Sequence, residues 1–308
     1  MIFMLAPLAG ALITLMNSLN SRLVARAGSL ASVLTVHLVG LAALALIVAG
    51  RTLARTLAGQ GPVAARRRGS ARLPAYAYFG GVVGVVTVFA SAFAYGALGA
   101  SLAVALGLIG QTGFSLAVDA TGAFGRRRRP IALRRLPGIA AIAAGALCMA
   151  GRNWRADLPA ILAALLAGVS VGTSSVLNSR LGKERGLLHA TGMNYLTGLA
   201  TTLLVVAFAA PSIAAIRAAA ATVLEAGPLL AMGGGLMGVI SVGTMSFLFS
   251  RLPAFTATLL SFTGQSLCGL ALDAASGIVN GGKLAGSLLV IAGLVLDMAL
   301  SRDRRIRQ

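Results

Sequence analysis

Leu19-Asn20-Ser21-Arg22-Leu23 recurs in this chain as Leu177-Asn178-Ser179-Arg180-Leu181. Working outward, Leu8-Ala9-Gly10 before the first copy matches Leu166-Ala167-Gly168 before the second. Downstream, Gly28 matches Gly186, and Leu38, Gly40, Leu41 and Ala42 match Leu196, Gly198, Leu199 and Ala200, all at an offset of 158. Further on, Gly110-Gln111, Leu116-Ala117 and Asp119 return as Gly264-Gln265, Leu270-Ala271 and Asp273 at an offset of 154. The matches define two homologous halves, residues 1–153 and 154–308, the second with a slightly shorter central loop.

Composition says what has been duplicated. Of 308 residues, 57% are hydrophobic and only 11% charged, and mean hydropathy is +0.90. A soluble chain carries about 25% charged residues. The apolar runs are long enough for a hydrocarbon layer roughly 30 Å thick, and the alternation a β-barrel needs is absent. The expected fold is therefore all-α: a polytopic membrane protein whose two halves are five-helix repeats. Duplication in so apolar a chain points to transport. The net charge of +19 does not mark a nucleic-acid partner, because the arginines stand in short loops between apolar runs. Cys148 and Cys268 lie inside apolar segments, and no CxxC or Cys/His cluster suggests a metal or cofactor. The first apolar segment lacks a basic leader and reads as a retained membrane helix.

Ten apolar spans are expected: 2–19, 30–49, 75–96, 99–122, 136–151, 158–177, 188–210, 227–249, 254–275 and 284–300. The fifth span of each half is short. Loops on the side of the N-terminus carry 20 basic residues, including Arg51, Arg55, Arg66 to Arg68, Arg72, Arg126 to Arg129, Arg134, Arg135, Arg180, Lys183, Arg185, Arg251 and the tail arginines. The opposite side carries 6: Arg22, Arg26, Arg152, Arg155, Arg217 and Lys283. The positive-inside rule puts both termini in the cytoplasm. Five spans is an odd number, so the second half enters the membrane inverted, the geometric basis of alternating access.

Gly10 with Asn20 and Leu23, Gly40, Gly80-Gly81 with Gly84, and Gly110-Gln111 with Asp119 carry a family likeness. Gly168 with Asn178 and Leu181, Gly198, Gly234-Gly235 with Gly238, and Gly264-Gln265 with Asp273 repeat it. In these residues, over nearly its whole length, the chain resembles the drug/metabolite transporter superfamily, and more closely its YdcZ-like branch of inner-membrane exporters. The resemblance implies a multi-pass protein of the bacterial inner membrane that exports a small molecule. Such proteins often carry a Gln four residues before the Asn of the first span. Here that place holds Met16 and Ser174.

Gln111 and Gln265 fall at the middle of spans 4 and 9. A primary amide at bilayer depth needs partners. The pair is either a substrate cradle at the midplane or an interhelical hydrogen bond worth about 0.6–2 kcal/mol. Asp119 and Asp273 lie eight residues further on, near span ends. They are candidates for ion coupling or carboxylates held by a nearby base or backbone. Asp297 pairs with Arg302 at the inner interface. Asn20 and Asn178 read as the ends of spans 1 and 6, a helix terminus with a snorkelling arginine or a gate. His37 aligns with Tyr195, beside Asn194, either as packed helix contacts or as part of an asymmetric pocket. Gly80, Gly81, Gly84, Gly234, Gly235 and Gly238, with Gly110 and Gly264, place small residues at helical spacing for close packing.

No Gly-x-Ser-x-Gly, His-Glu-x-x-His or Walker-type loop occurs, so no catalytic residues are assigned. An intramembrane enzyme, a structural membrane protein or a channel are the competing classes. The scarcity of charge in the spans points to a small cargo that is neutral, amphipathic or weakly charged. Expected partners are that solute and the lipid bilayer. One chain holds both units, so an oligomer is not required.

Overall fold

The computed structural model describes residues 2–59, 73–129, 136–150, 157–209 and 212–302. Among these residues the fold is all-α. The helices are α1 (Ile2–Ala27), α2 (Ser29–Leu57), α3 (Gly80–Leu98), α4 (Ala100–Thr121), α5 (Leu136–Ala150), α6 (Leu158–Arg185), α7 (Leu187–Ala209), α8 (Ile213–Glu225), α9 (Pro228–Arg251), α10 (Ala254–Ala275) and α11 (Gly281–Arg302). Ten of them occupy the ten stretches read from the sequence, and α8 is additional. Seven (α2, α3, α4, α6, α7, α9 and α10) are long and apolar enough to cross a membrane, whereas α5 and α11 carry shorter apolar stretches. Gly28, Gly99 and Gly186 turn the corners between successive helices at φ of +79°, +81° and +97°, conformations glycine adopts without strain.

The helices of one half pack mainly on those of the other. α1 lies on α10 and on α9, and the equivalent α6 lies on α4 and on α3. α2 meets α9 as α7 meets α3, and α5 pairs with α11. Backbone approach sets these contacts. A Cβ at Gly264 would collide with the Pro7 carbonyl, and one at Gly110 with the carbonyl of Leu165, the residue equivalent to Pro7. Gly10 lies on the Ser261 carbonyl as Gly168 lies on that of Gly107. Gly80 receives the Asn178 side chain and Gly234 that of Asn20. Gly81 faces the Asn194 backbone, Gly235 faces Val39, Gly84 lies near Asn194, and Gly238 lies against the Tyr195 hydroxyl. Small residues let helices approach where lipid offers no hydrophobic drive to associate.

Three sequence expectations need correction. Asn20 and Asn178 do not end their helices: α1 runs to Ala27 and α6 to Arg185, and both asparagines are only 2% exposed. Each is held inside because a glycine of the other half leaves room for its carboxamide. The third span begins with a short 3-10 turn, Ala75–Tyr78, before α3. The segment after the seventh span is not a plain loop. It holds α8, whose Ser212 hydroxyl caps the Ala215 N–H at 3.1 Å. Alanine-rich and too short to span, α8 has no apolar run of membrane length, yet its helix propensity is high. Arg66 to Arg68, Arg72, Arg134, Arg135, Arg152, Arg155 and Arg304, Arg305 and Arg307 lie outside the described residues, as do the 153/154 boundary and the side chains of Asp297 and Arg302.

Candidate functional site

Gln111 and Gln265 come together. Both line a cavity enclosed by α1, α3, α4, α6 and α10, with Asn17, Ser91, Tyr95 and Phe262. Gln111 is 1% exposed. Its Nε2 donates to the Thr258 hydroxyl of α10 at 3.2 Å, and Ser115 lies 2.9 Å from the same hydroxyl. Thr14 of α1 donates to the Gln265 main-chain carbonyl at 3.3 Å. The Tyr95 side chain lies near Asn17 and Thr14. Ile13, Ala94, Val104 and Val171, with alanines and glycines of α4 and α6, form the remaining walls. The cavity is about 30 Å³, room for roughly two water molecules. Sites for organic ligands run to about 300 Å³ or more, so the cavity as it stands is too small for one.

Asp119 and Asp273 stand at opposite ends of the bundle, each capping a helix of the other half. Asp273 Oδ1 accepts from the Ala100 N–H at 2.8 Å. Its Oδ2 accepts from the Ser101 N–H at 3.2 Å and from the Ser101 hydroxyl at 2.5 Å. It therefore caps α4, where a carboxylate also meets the positive end of the helix dipole. Lys283 Nζ lies 3.2 Å from Oδ2 and donates to the Leu98 carbonyl at 3.4 Å. At the other end Asp119 Oδ2 accepts from the Phe255 N–H of α10 at 3.2 Å. Arg126 Nε lies 3.8 Å from Asp119 Oδ1, and its two terminal nitrogens donate to the Phe249 and Leu252 carbonyls at 2.9 Å. Phe255 is the equivalent of Ser101, and Leu252 of Leu98. Each end thus carries the same clasp. An acid caps a helix of the opposite half, and a cation ties that acid to the last carbonyl of the preceding helix. Burial lowers the Arg126 pKa and the nearby Asp119 raises it, and arginine stays charged at any physiological pH.

The Asp119 end is also packed shut. Met245, Leu248 and Phe249 of α9 form a continuous core with Ala6, Ala9, Ala254 and Ala257, and Phe114 and Phe124 pack on it. Phe124 is held at φ +57°. Arg180 donates to its carbonyl at 2.8 Å and to the Tyr76 hydroxyl, while Tyr76 meets the Phe124 ring edge-on.

The other sequence candidates form two further clusters. Asn178 Nδ2 donates to Asn194 Oδ1 at 2.8 Å and to the Ser174 hydroxyl at 3.2 Å, and Ser174 donates to the Gly80 carbonyl at 2.9 Å. The equivalent Asn20 has neither Nδ2 nor Oδ1 paired among the described residues, because the places of Ser174 and Asn194 hold Met16 and Val36. His37 and Tyr195 meet edge-to-face, their centroids 6.0 Å apart. Each ring occupies a notch left by a glycine of the opposite half, Gly198 and Gly40. His37 Nδ1 lies 2.8 Å from the Val33 carbonyl, and neither ring lines the cavity. Asn17, Ser91 and Tyr95 were not singled out in the sequence. They fall where the halves differ, the equivalents being Ser175, Met245 and Phe249, so a search for repeated residues passes over them.

A bundle of apolar helices long enough to cross a membrane belongs to the class of polytopic membrane proteins. The family described as "Putative inner membrane exporter, YdcZ" matches residues 1–148 and 159–296. The chain belongs to that family. No curated protein is a match. A solved structure titled "Crystal structure of protein" is similar in fold, with a TM-score of 0.57 and 21% identity, over 98% of this chain and 99% of that one.

Proposed function

We propose that this chain is a secondary transporter that exports a small solute across the inner membrane by alternating access. The observation that carries this reading is the pair Gln111 and Gln265 in one small polar cavity, with an equivalent clasp at either end of the bundle. The two halves act as inverted repeats, 1–153 and 154–308, with both termini cytoplasmic. The Asp119 end then faces the cytoplasm and the Asp273 end the outside. Alternating access exposes a fixed site to one side at a time, and a clasp at either end of the bundle supports that reading. Protonation of either aspartate removes the charge that holds its cap and its cation, so these are the residues through which an ion gradient would act on the gates. Gln111 and Gln265 contact the solute at the midplane. Asn178, Asn194, His37 and Tyr195 set the helix contacts on either side.

The test is solute flux in proteoliposomes, followed as current on a solid-supported membrane and as filter-assayed uptake. Amines, sugars and organic acids are screened with and without a pH gradient. Accumulation against a gradient that is lost in Q111A and Q265A is the expected result. A folded protein that moves every solute only down its gradient, with channel-like kinetics, contradicts alternating access.

A further inference from the structure

We infer that the cargo is recognised by a polar wall only the first half builds, and that it is a small uncharged molecule with one hydrogen-bonding edge and one apolar face. The wall is Asn17, Ser91 and Tyr95, set beside Gln111 and Gln265. This rests on the transporter reading above and deepens it.

Two observations carry the inference. The first is the difference between equivalent positions. Ser91 and Tyr95 correspond to Met245 and Phe249, and Cys268 to Phe114. Met245 and Phe249, with Phe114 packed on them, fill the Asp119 end. At the Asp273 end the equivalent places hold a hydroxyl, a phenol and a small thiol, and the cavity lies there. The same backbone is plugged by bulk at one end and lined with hydrogen-bonding groups at the other. Along α1 the polar groups continue outward from Gln265. Thr14 meets the Gln265 carbonyl, Asn17 meets Tyr95, and Ser21 lies beside Gly96. Positions 14, 17 and 21 share one helix face.

The second observation is charge. Among the described residues no ionised side chain lines the cavity. The nearest acid along α10 is Asp273, already occupied by two backbone N–H groups, the Ser101 hydroxyl and Lys283. A charged cargo would be desolvated with no counter-charge, which is costly in such surroundings. Three carboxamides and a phenol, in contrast, offer both donors and acceptors. Phe262 and the alanine walls of α4 and α6 supply the apolar side. A donor–acceptor edge on a flat apolar body matches both.

Three isosteric probes separate charge from shape: benzamide, benzamidinium and benzoate, titrated near neutral pH into the full-length protein in detergent. Binding is followed by calorimetry. Benzamide alone should bind. Y95F should weaken it about tenfold, the loss of one well-placed hydrogen bond, without changing the unfolding temperature. S91M/Y95F, which imports the second half's own residues, should abolish binding. N17D should turn the preference toward benzamidinium. Preferential binding of benzoate or benzamidinium by the wild type, or benzamide binding that Y95F and S91M/Y95F leave intact, overturns the assignment. If none of the three binds, the assigned cargo class is wrong. The transporter reading is then judged by its own flux assay, which does not depend on these probes.

Discussion

The two ends of this bundle share a backbone plan but not a filling. At the Asp119 end, Met245, Phe249 and Phe114 close the space between the halves. At the Asp273 end, Ser91, Tyr95 and Cys268 occupy the equivalent places and a cavity remains. The clasps differ too. Asp273 gathers three donors and a lysine at 3.2 Å, whereas Asp119 is given one backbone N–H and a cation at 3.8 Å. The two halves share a frame, and where they differ one end keeps a cavity and the other is filled. On the proposed transporter reading, what the halves keep in common serves folding and gating, and what they do not share serves recognition.

The largest test strikes the shared frame. Gly264→Val and Gly110→Val each force a side chain into a carbonyl of the opposite half, and both should abolish a monodisperse folded peak in size-exclusion chromatography. Tolerance of one and not the other would break the equivalence of the two halves. Next come the clasps. Asp273→Ala leaves Lys283 half-partnered in a buried site and should cost about 3–5 kcal/mol. Asp119→Ala, which removes a looser pair, should cost about 1–2 kcal/mol. Thermal unfolding in detergent ranks them, and the reverse order would contradict the geometry. A smaller effect is expected from Val36→Asn, which gives Asn20 the partner that Asn194 gives Asn178. Satisfying a buried orphan carboxamide should add about 1 kcal/mol, read as a rise in unfolding temperature. A fall would show that Asn20 is better left unpaired.

Much of the frame was legible in the sequence because it is written twice. Gln111 with Gln265, Asp119 with Asp273 and the paired glycines stood out by identity at a fixed offset, and the structure brings the two glutamines to one cavity. Periodicity and length placed ten of the helices. Three things were not legible. The helices run past Asn20 and Asn178 because those carboxamides fit against glycines of the other half, a tertiary fact that no local pattern encodes. The capping of α4 by Asp273 and of α10 by Asp119 spans more than a hundred residues, so neither resembles a local N-cap motif. The wall of Asn17, Ser91 and Tyr95 is not marked by the repeat, because these positions differ between the halves. A polar residue in one half set against Met or Phe in the other is the signal for Ser91 and Tyr95; Asn17, set against Ser175, carries no such signal.

The most direct measurement is the accessibility of single cysteines at the two fillings. Ser91→Cys and Met245→Cys are placed separately in a background lacking Cys148 and Cys268, and labelled with an impermeant maleimide from either side of oriented vesicles. Both positions are buried, so alternating access predicts that Ser91→Cys reacts only from the Asp273 side, each time the Asp273 clasp opens, while Met245→Cys stays protected as long as the Asp119 clasp holds. Adding Arg126→Ala, which releases the Asp119 clasp, should expose Met245→Cys to the opposite side and slow labelling of Ser91→Cys in proportion. Labelling of both positions from the same side, or a release of Arg126 that changes one position without the reciprocal change in the other, would contradict a two-gate transporter.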